Sequence, residues 1–285
     1  MRLATFNILH GQPVAGPADH APNLGEDDLV GLPNGHEDLI AAVRELDADI
    51  LGMQEVDSFQ PRSGHANQTQ LVARAMAAQF SLFVPSVIGT PGAVAGFRSS
   101  TAHERDRAAE QDLTHVQYGV SMVSRVPVDR SHVEVFDPAP LSLPLLVQAT
   151  PKAKFIKVRD EQRAAIAVIV EGSSGPMTVV TAHLSFVPGF NVKQLLAIKK
   201  WLADFPRPLI MMGDLNLPGK IPAAVTGWDP VFRGATFPSY SPKIQFDHVL
   251  VDGVAESQLD RIRANTRAVR LPVSDHCAVI TDVDI

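Results

Sequence analysis

Ten runs of β-branched or alternating residues, closely spaced and bounded by turn residues, constrain this chain more than any other feature. They are LATFNIL (3–9), ADILGMQ (48–54), GVSMVSR (119–125), HVEVF (132–136), KFIKVR (154–159), RAAIAVIVE (163–171), MTVVTAHL (177–184), PLIMMGD (208–214), FDHVLVD (246–252) and CAVITDV (277–283). Only three stretches carry helical spacing. Residues 36–46 place Leu39, Ile40, Val43 and Leu46 on one face, and residues 66–80 do the same with Leu71, Val72, Ala75 and Met76, with Asn67 as a cap. Residues 191–205 carry a stripe that includes Val192, Leu195, Leu196, Ile198 and Leu202, with Asn191 as its cap. A doubly wound parallel sheet needs a crossover helix between nearly every pair of strands, and three helices are too few. The order fits an α/β protein with two mixed β-sheets face to face and helices outside, as one domain over residues 1–285. GSSGP (172–176) reads as a hairpin turn. The irregular stretches 10–35 and 85–115 read as functional rims or mobile segments, and the apolar, proline-rich 138–146 as a cover over the core or a partner contact.

The balance of charge narrows the function. The formal net charge is −6, which gives no sign of the basic face that a nucleic-acid binder presents to phosphates. Aromatic residues make up 6% of the chain, little material for a base-stacking platform. The single cysteine, Cys277, rules out an internal disulfide and lies in an apolar run, so it reads as core, with the cytoplasm as the favoured location. The N-terminal MRLATFNILHG lacks the pattern of a signal peptide, and the longest apolar runs fall far short of the roughly 20 residues that cross a bilayer.

Polar residues recur at the ends of the strand-like runs. Asn7 ends the first, Glu55 follows ILGMQ, His183 ends VVTAH, and Asp214 and Asn216 follow LIMMG. Asp247 and His248 begin FDHVLV, and Asp275 and His276 precede CAVI. A sheet protein that gathers strand ends on one side gathers these side chains as well. Carboxylates, amides and imidazoles without added cysteines are the inventory for a hard cation beside a phosphate.

The set TFNILHG, ILGMQEVD, YGVSMVSR, TAHLS, MMGDLN, FDHVLV and SDHCAV resembles the endonuclease/exonuclease/phosphatase superfamily, the type I deoxyribonuclease-like phosphoesterases that depend on a divalent metal. The resemblance runs from residue 5 to 279. It implies a four-layer α/β/β/α sandwich and a set of roles. Glu55 matches the principal Mg²⁺ ligand, Asn7 the residue that shapes that site, and Asp275 the second acidic contact; Mn²⁺ is the expected substitute. Asp214 matches the acid that orients or deprotonates the attacking water, with Asn216 as its partner. His276 matches the imidazole facing the scissile phosphate, supported by Asp247. His183 matches a histidine that contacts phosphate or assists the leaving group, and Tyr118 a polar partner of that region. Asp214 and Asn216 would alternate along an extended backbone and lean toward one water. Arg62, just after the Glu55 run, is a candidate contact to a substrate phosphate.

Each residue alone has an ordinary structural reading: Asp214-Leu215-Asn216 as an Asx turn, SDH as a cap or loop, His183 as a buried structural histidine. Their joint order across the chain favours the site. Lys152, Lys154, Lys157, Arg159 and Arg163, and then Arg261, Arg263, Arg267 and Arg270, read as solvated faces, with an anionic-substrate groove as the sharper alternative. The other histidines, His10, His20, His36, His65, His103 and His115, show no zinc spacing and read as loop residues. The expected activity is Mg²⁺-dependent hydrolysis of a phosphodiester by an activated water, with a nucleic-acid, lipid or small-molecule substrate, by a monomer without an obligate protein partner. A non-specific DNA/RNA endonuclease and a phospholipid- or inositol-type phosphatase are the alternatives, and a catalytically silent binding protein of the same fold is the last.

Overall fold

A computed structural model of the chain describes residues 1–16, 36–91, 96–109, 115–147 and 154–284. Most of stretch 10–35, with His20, lies outside these residues, as do parts of 85–115 and Lys152. In chain order the strands are β1 (Arg2–Asn7), β2 (Ile50–Ser58), β3 (Phe80–Gly89), β4 (Phe97–Ser99), β5 (Gln117–Ser124), β6 (Arg130–Phe136), β7 (Ser142–Val147) and β8 (Lys154–Arg159). There follow β9 (Arg163–Gly172), β10 (Gly175–His183), β11 (Leu209–Asp214), β12 (Asp229–Pro230), β13 (Asp247–Asp252), β14 (Thr266–Val269) and β15 (Ala278–Asp282). The helices are α1 (Glu37–Leu46), α2 (Gln68–Met76), α3 (Ala102–Ala109), α4 (Phe190–Trp201), α5 (Ile221–Thr226) and α6 (Glu256–Ala264).

Two mixed sheets form the centre. One has the order β14-β15-β1-β2-β5-β3-β4, the other β12-β13-β11-β10-β9-β6, and β7 and β8 pair separately. Each large sheet holds one parallel pair, β1 with β2 and β10 with β11; the other pairings are antiparallel. A parallel pair needs a crossover, which α1 and α4 provide. Parallel strands end on the same side, so Asn7 comes to rest beside Gln54, and His183 beside Asp214. The antiparallel β13 then starts where β11 ends, with Asp247 opposite Asp214.

Three apolar layers separate four structural ones. Ile50, Met122, Ile166, Val179 and Met212 fill the space between the sheets. Phe6, Leu51 and Met53 meet Leu39, Val43 and Val72 of α1 and α2 on one outer face. Val180 and Met211 meet Leu195 and Ile198 of α4 on the other. The arrangement is the four-layer α/β/β/α sandwich expected from the sequence. Burying each such side chain stabilises the fold by about 1.5–3 kcal/mol.

Several local expectations change. Stretch 85–115 carries regular structure: β3 runs on to Gly89, and β4 and α3 follow. Pro85 hid the strand, and it sits at a register shift against β5 where its missing N–H is tolerated. Residues 142–147 form β7, which pairs with β8. Helix α2 stops at Met76 because Ala77 turns left-handed, and the chain re-enters the sheet at Phe80. Asn67 caps α2 by accepting from Gln70 N–H, whereas α4 begins after Gly189, and Asn191 lies inside its first turn. Leu196 is 49% exposed and so lies outside the buried stripe. Cys277 is buried, as core packing requires. No helix among the described residues is long and apolar enough to cross a membrane.

Gly213, one residue before Asp214, is required by the closeness of β10. Its φ is +153°, and an added Cβ would lie 2.1 Å from the carbonyl oxygen of Ala182. Gly213→Ala is expected to cost about 3 kcal/mol through forced displacement of the β10–β11 pair. Gly64→Ala, with φ +64° but open space around it, should cost about 1 kcal/mol. Thermal unfolding of the two variants checks the difference, and equal costs would contradict the packing argument.

Candidate active site

The strand ends of both sheets converge on one amide. Nδ2 of Asn7, fully buried at the end of β1, donates to Oε1 of Glu55 at 3.0 Å and to Oδ2 of Asp214 at 3.0 Å. The amide oxygen of Asn7 accepts from Leu9 N–H at 3.1 Å, which fixes the orientation of the side chain. Asn7 thus joins two carboxylates from different sheets through its donor, while its oxygen accepts from the backbone. One hydrogen-bond layer below, Gln54 Nε2 donates to Thr181 Oγ1 across the sheets at 2.9 Å.

Glu55 owes its direction to a backbone irregularity. The β2–β5 register shifts between Met53 and Val56, and Glu55 sits inside that bulge with φ +57°. A bulge breaks the alternation of side chains and re-aims one of them, and a left-handed non-glycine residue stores strain of the kind found at functional sites. Leu9, His10, Phe59, Asn216 and Ser274 also have positive φ, all in segments adjoining the site. Oε2 of Glu55 has no hydrogen-bond partner among the described residues, and the side chain is partly exposed.

Asp214 is the hub. Its Oδ2 receives Asn7 and lies 3.7 Å from Nε2 of both His183 and His276. Its Oδ1 accepts from the backbone N–H of Asn216 at 3.0 Å, which is the Asx turn of the ordinary reading, present here within the site. Asn216 does not continue an extended strand. Its φ is +48°, its Nδ2 donates to the carbonyl of Leu184, and Asn191 of α4 donates to its own carbonyl. The alternation expected for Asp214 and Asn216 is thus replaced by a turn, because three hydrogen bonds outweigh the extended form.

His276 is held from two sides. Its Nδ1 lies 2.8 Å from Oδ2 of the fully buried Asp247, and its backbone N–H donates to the hydroxyl of Ser274, which in turn donates to the carbonyl of Asn7. Burial opposes charge on this imidazole, but Asp247 and Asp214 overcome it and hold the proton well above the ordinary histidine range. His183 goes the other way. Burial, then the charges of Arg163 and His276, keep it neutral. The carboxyl of Asp214 is pushed up by burial and by Asp247, with His276 opposing. Asp275 is buried next to His276 and adds to its basicity. His248 alternates away from Asp247, and its Nε2 lies 2.8 Å from the carbonyl of Leu217 in a structural contact.

Sequence reasoning missed Arg163. Read as part of a solvated basic face, it is 4% exposed, and its Nη1 lies 2.9 Å from Nε2 and 3.0 Å from Nδ1 of His183. Glu161 pairs with it at 3.1 Å, and burial raises that carboxyl to about 7, with Glu55 and Asp160 adding and Arg163 opposing. Tyr118, buried on β5 opposite Asp57, has its phenol pushed upward by burial and by Glu55 and Glu161. Arg62 stacks over the Tyr118 ring, with Cζ 5.6 Å from the centroid, and pairs with Asp57. His10, near Arg62 and Glu55, is driven down to about 4 by burial and by Arg62. The arginines of α6 behave as expected: Arg261 is exposed, and Arg263 pairs with Glu256 and Asp260.

The donor set fits a hard divalent cation. The unpartnered oxygen of Glu55 and the nearness of its carboxylate to that of Asp214, both held by one Asn7 amide, leave negative charge that a cation would compensate. Asp214, Asp247 and His276 also bring ligand-type atoms within 4.8 Å of one another, but the proton held on His276 makes it a donor there rather than a ligand.

The family model described as the endonuclease/exonuclease/phosphatase family matches residues 4–276. No curated protein sequence matches the chain. Among solved structures, a member of that family from Leptotrichia buccalis superposes with a TM-score of 0.58 at 12% identity, covering 100% of both chains. A sphingomyelinase C from Streptomyces griseocarneus gives 0.54 at 14% identity, covering 99% of each chain. A mannosyl-6-phosphatase from Bacteroides thetaiotaomicron gives 0.52 at 14%, covering 99% of this chain and 98% of that one. At these identities the likeness is one of fold.

The two imidazoles should titrate apart. In ¹⁵N-histidine spectra of the metal-free protein, His276 should be doubly protonated and His183 neutral at neutral pH. Stability contributed by the His276–Asp247 pair is present while His276 keeps its proton and is lost as pH rises through its raised pKa. Asp247→Asn should return His276 toward the ordinary range; an unmoved titration would show that Asp247 does not hold the proton.

Proposed function

The chain belongs to the endonuclease/exonuclease/phosphatase family, hydrolases acting on phosphoester bonds, and we propose that it is a Mg²⁺-dependent phosphodiesterase working through the Glu55–Asn7–Asp214–His276 constellation. The observation that carries this reading is the Asn7 amide, which joins Glu55 and Asp214 while His276 and His183 flank Asp214.

Glu55, with Asp275 as the second acidic contact, would hold the ion, which supplies charge neutralisation and polarisation at the phosphoryl oxygens. Asp214 orients the attacking water and accepts its proton; the fixed turn with Asn216 sets the direction of its carboxylate. His276, kept protonated by Asp247, donates a charge-assisted hydrogen bond to the phosphoryl group as charge builds there. His183, neutral and backed by Arg163, contacts the phosphate or the leaving oxygen. Tyr118 and Arg62 bound the pocket on the Glu55 side. Displacement at phosphorus needs mainly positioning and electrostatics, and rigid strand ends provide both.

The net charge of −6 and the low aromatic content favour a small-molecule or lipid ester over a nucleic acid. Family-fold neighbours carry names as different as sphingomyelinase and sugar phosphatase, so the loops, rather than the strand ends, are the place where the substrate is chosen. We further infer a single domain over residues 1–285 acting as a monomer, with the lone Cys277 as the support for a cytosolic location.

Hydrolysis of bis-p-nitrophenyl phosphate should stop in EDTA and return with Mg²⁺ or Mn²⁺; undiminished turnover in chelator would remove the metal from the reaction. His276→Ala should lower kcat by about 10²-fold or more with the fold intact. Turnover near that of the wild type would contradict its role. A properly folded, metal-bound protein inert on phosphodiesters, phosphomonoesters, lipids and nucleic acids would point to the silent binding protein.

A further inference from the structure

The loop after β2 fixes one arginine with unusual completeness and leaves one end of it unused. Asp57 is fully buried and takes Nε of Arg62 at 2.9 Å and Nη2 at 2.7 Å, so one edge of the guanidinium is committed. The backbone N–H of Asp57 donates to Gln68, which holds the carboxylate's strand against α2. The ring of Tyr118 lies under the guanidinium, its centroid 5.6 Å from Cζ. The loop itself is fastened by Gln60, whose Nε2 donates to the carbonyls of Gly89 and Gln117 and whose Oε1 accepts from the hydroxyl of Thr90.

A guanidinium has five N–H groups in a rigid fork. Asp57 uses one on Nε and one on Nη2, which leaves both on Nη1 and one on Nη2. Nη1 has no hydrogen-bond partner among the described residues, and the side chain keeps 20% of its exposure. The remaining end has the geometry that accepts two oxygens of a phosphate or carboxylate. It belongs to the same pocket: Arg62 lies within electrostatic reach of Glu55 and Tyr118, and His10, with a buried unpartnered Nδ1, lies beside it. It is not the seat of the reacting group, since Arg62 makes no hydrogen bond or ion pair with Asp214, His183 or His276, where Arg163 supplies the cation.

We propose that the Nη1/Nη2 end of Arg62 seats a second anionic group of the substrate, a phosphate or carboxylate set apart from the scissile phosphate. This rests on the reading of Glu55, Asp214 and His276 as a phosphoesterase site, and it adds a substrate class: esters whose remainder is itself negatively charged. A structural staple would need only the Asp57 pair, which a lysine also makes; the oriented fork is what a lysine lacks.

The test is calorimetric titration of the Mg²⁺-loaded protein with alkane bisphosphonates of increasing chain length, with phosphonoalkanoates of the same lengths, and with the matching alkyl monophosphonates. At least one doubly anionic ligand should bind about tenfold or more tightly than its monophosphonate partner, and the series that shows it tells whether the second group is phosphate or carboxylate. In Arg62→Lys, which keeps the Asp57 pair and the fold, that ratio should fall toward one. It should do the same in Asp57→Asn/Arg62→Met, which removes the buried charge together with its partner. A ratio near one for every length in the wild type overturns the proposal. So does a ratio that survives both variants, which would assign the gain to chelation of the ion. Failure of every phosphonate to bind would instead strike the phosphoesterase reading itself, and with it the premise.

Discussion

A single amide joins the two halves of this protein's site. Asn7 ends a strand of one sheet, and its Nδ2 is shared between Glu55 of the same sheet and Asp214 of the other, 207 residues away in the chain. Two buried or half-buried carboxylates so close would repel each other, and each would be costly to desolvate. One oriented donor, locked by Leu9 N–H on its acceptor side, offsets part of that cost and sets the spacing between them. What the amide does not offset, a divalent cation would. The polar seam extends inward through Gln54 and Thr181, so the sheets touch at this end through hydrogen bonds and elsewhere through hydrocarbon.

The fold arrives at this geometry by a repeated device. Each sheet contains one parallel strand pair closed by one helix, and the carboxyl end of each pair delivers two polar residues. Antiparallel neighbours then add Asp247 opposite Asp214, while the loop before β15 brings His276 back to the end of β1 through Ser274. Strain is concentrated in the same segments, at Glu55 and Asn216 among others, where the surrounding pairing over-determines the backbone.

Much of this was legible in the sequence because it depends on alternation and on where apolar runs stop. Nine of the ten runs located strands of the two central sheets, and the polar residues at their ends located Asn7, Glu55, His183, Asp214, Asp247 and His276. The failures have physical causes. Pro85 concealed β3, since a proline inside a strand is tolerated only at an irregularity that sequence does not display. Arg163 looked like one charge in a basic stretch, yet it is buried. The hairpin at 172–176 folds β9 onto β10 and sets Ala164 opposite His183, so alternation assigns Arg163 to the other face, with Ala165 and Ala167. Its contact with His183, made where β9 begins, breaks that pattern. Neither that contact nor the bulge at Glu55 and the turn at Asn216 could have been counted, because all are decided by contacts with distant residues. Asp57, two residues beyond Glu55, passed unnoticed because a carboxylate at a strand end looks like a surface group until its arginine is found.

The proposed chemistry requires Glu55 and Asp214 to join in one pocket that binds a cation beside a phosphate. Anomalous diffraction from crystals soaked in Mn²⁺ tests this most directly. A single strong peak is expected against the carboxylate of Glu55, beside Asn7 and Asp214. A strong peak elsewhere on the molecule, with none at Glu55, would contradict it.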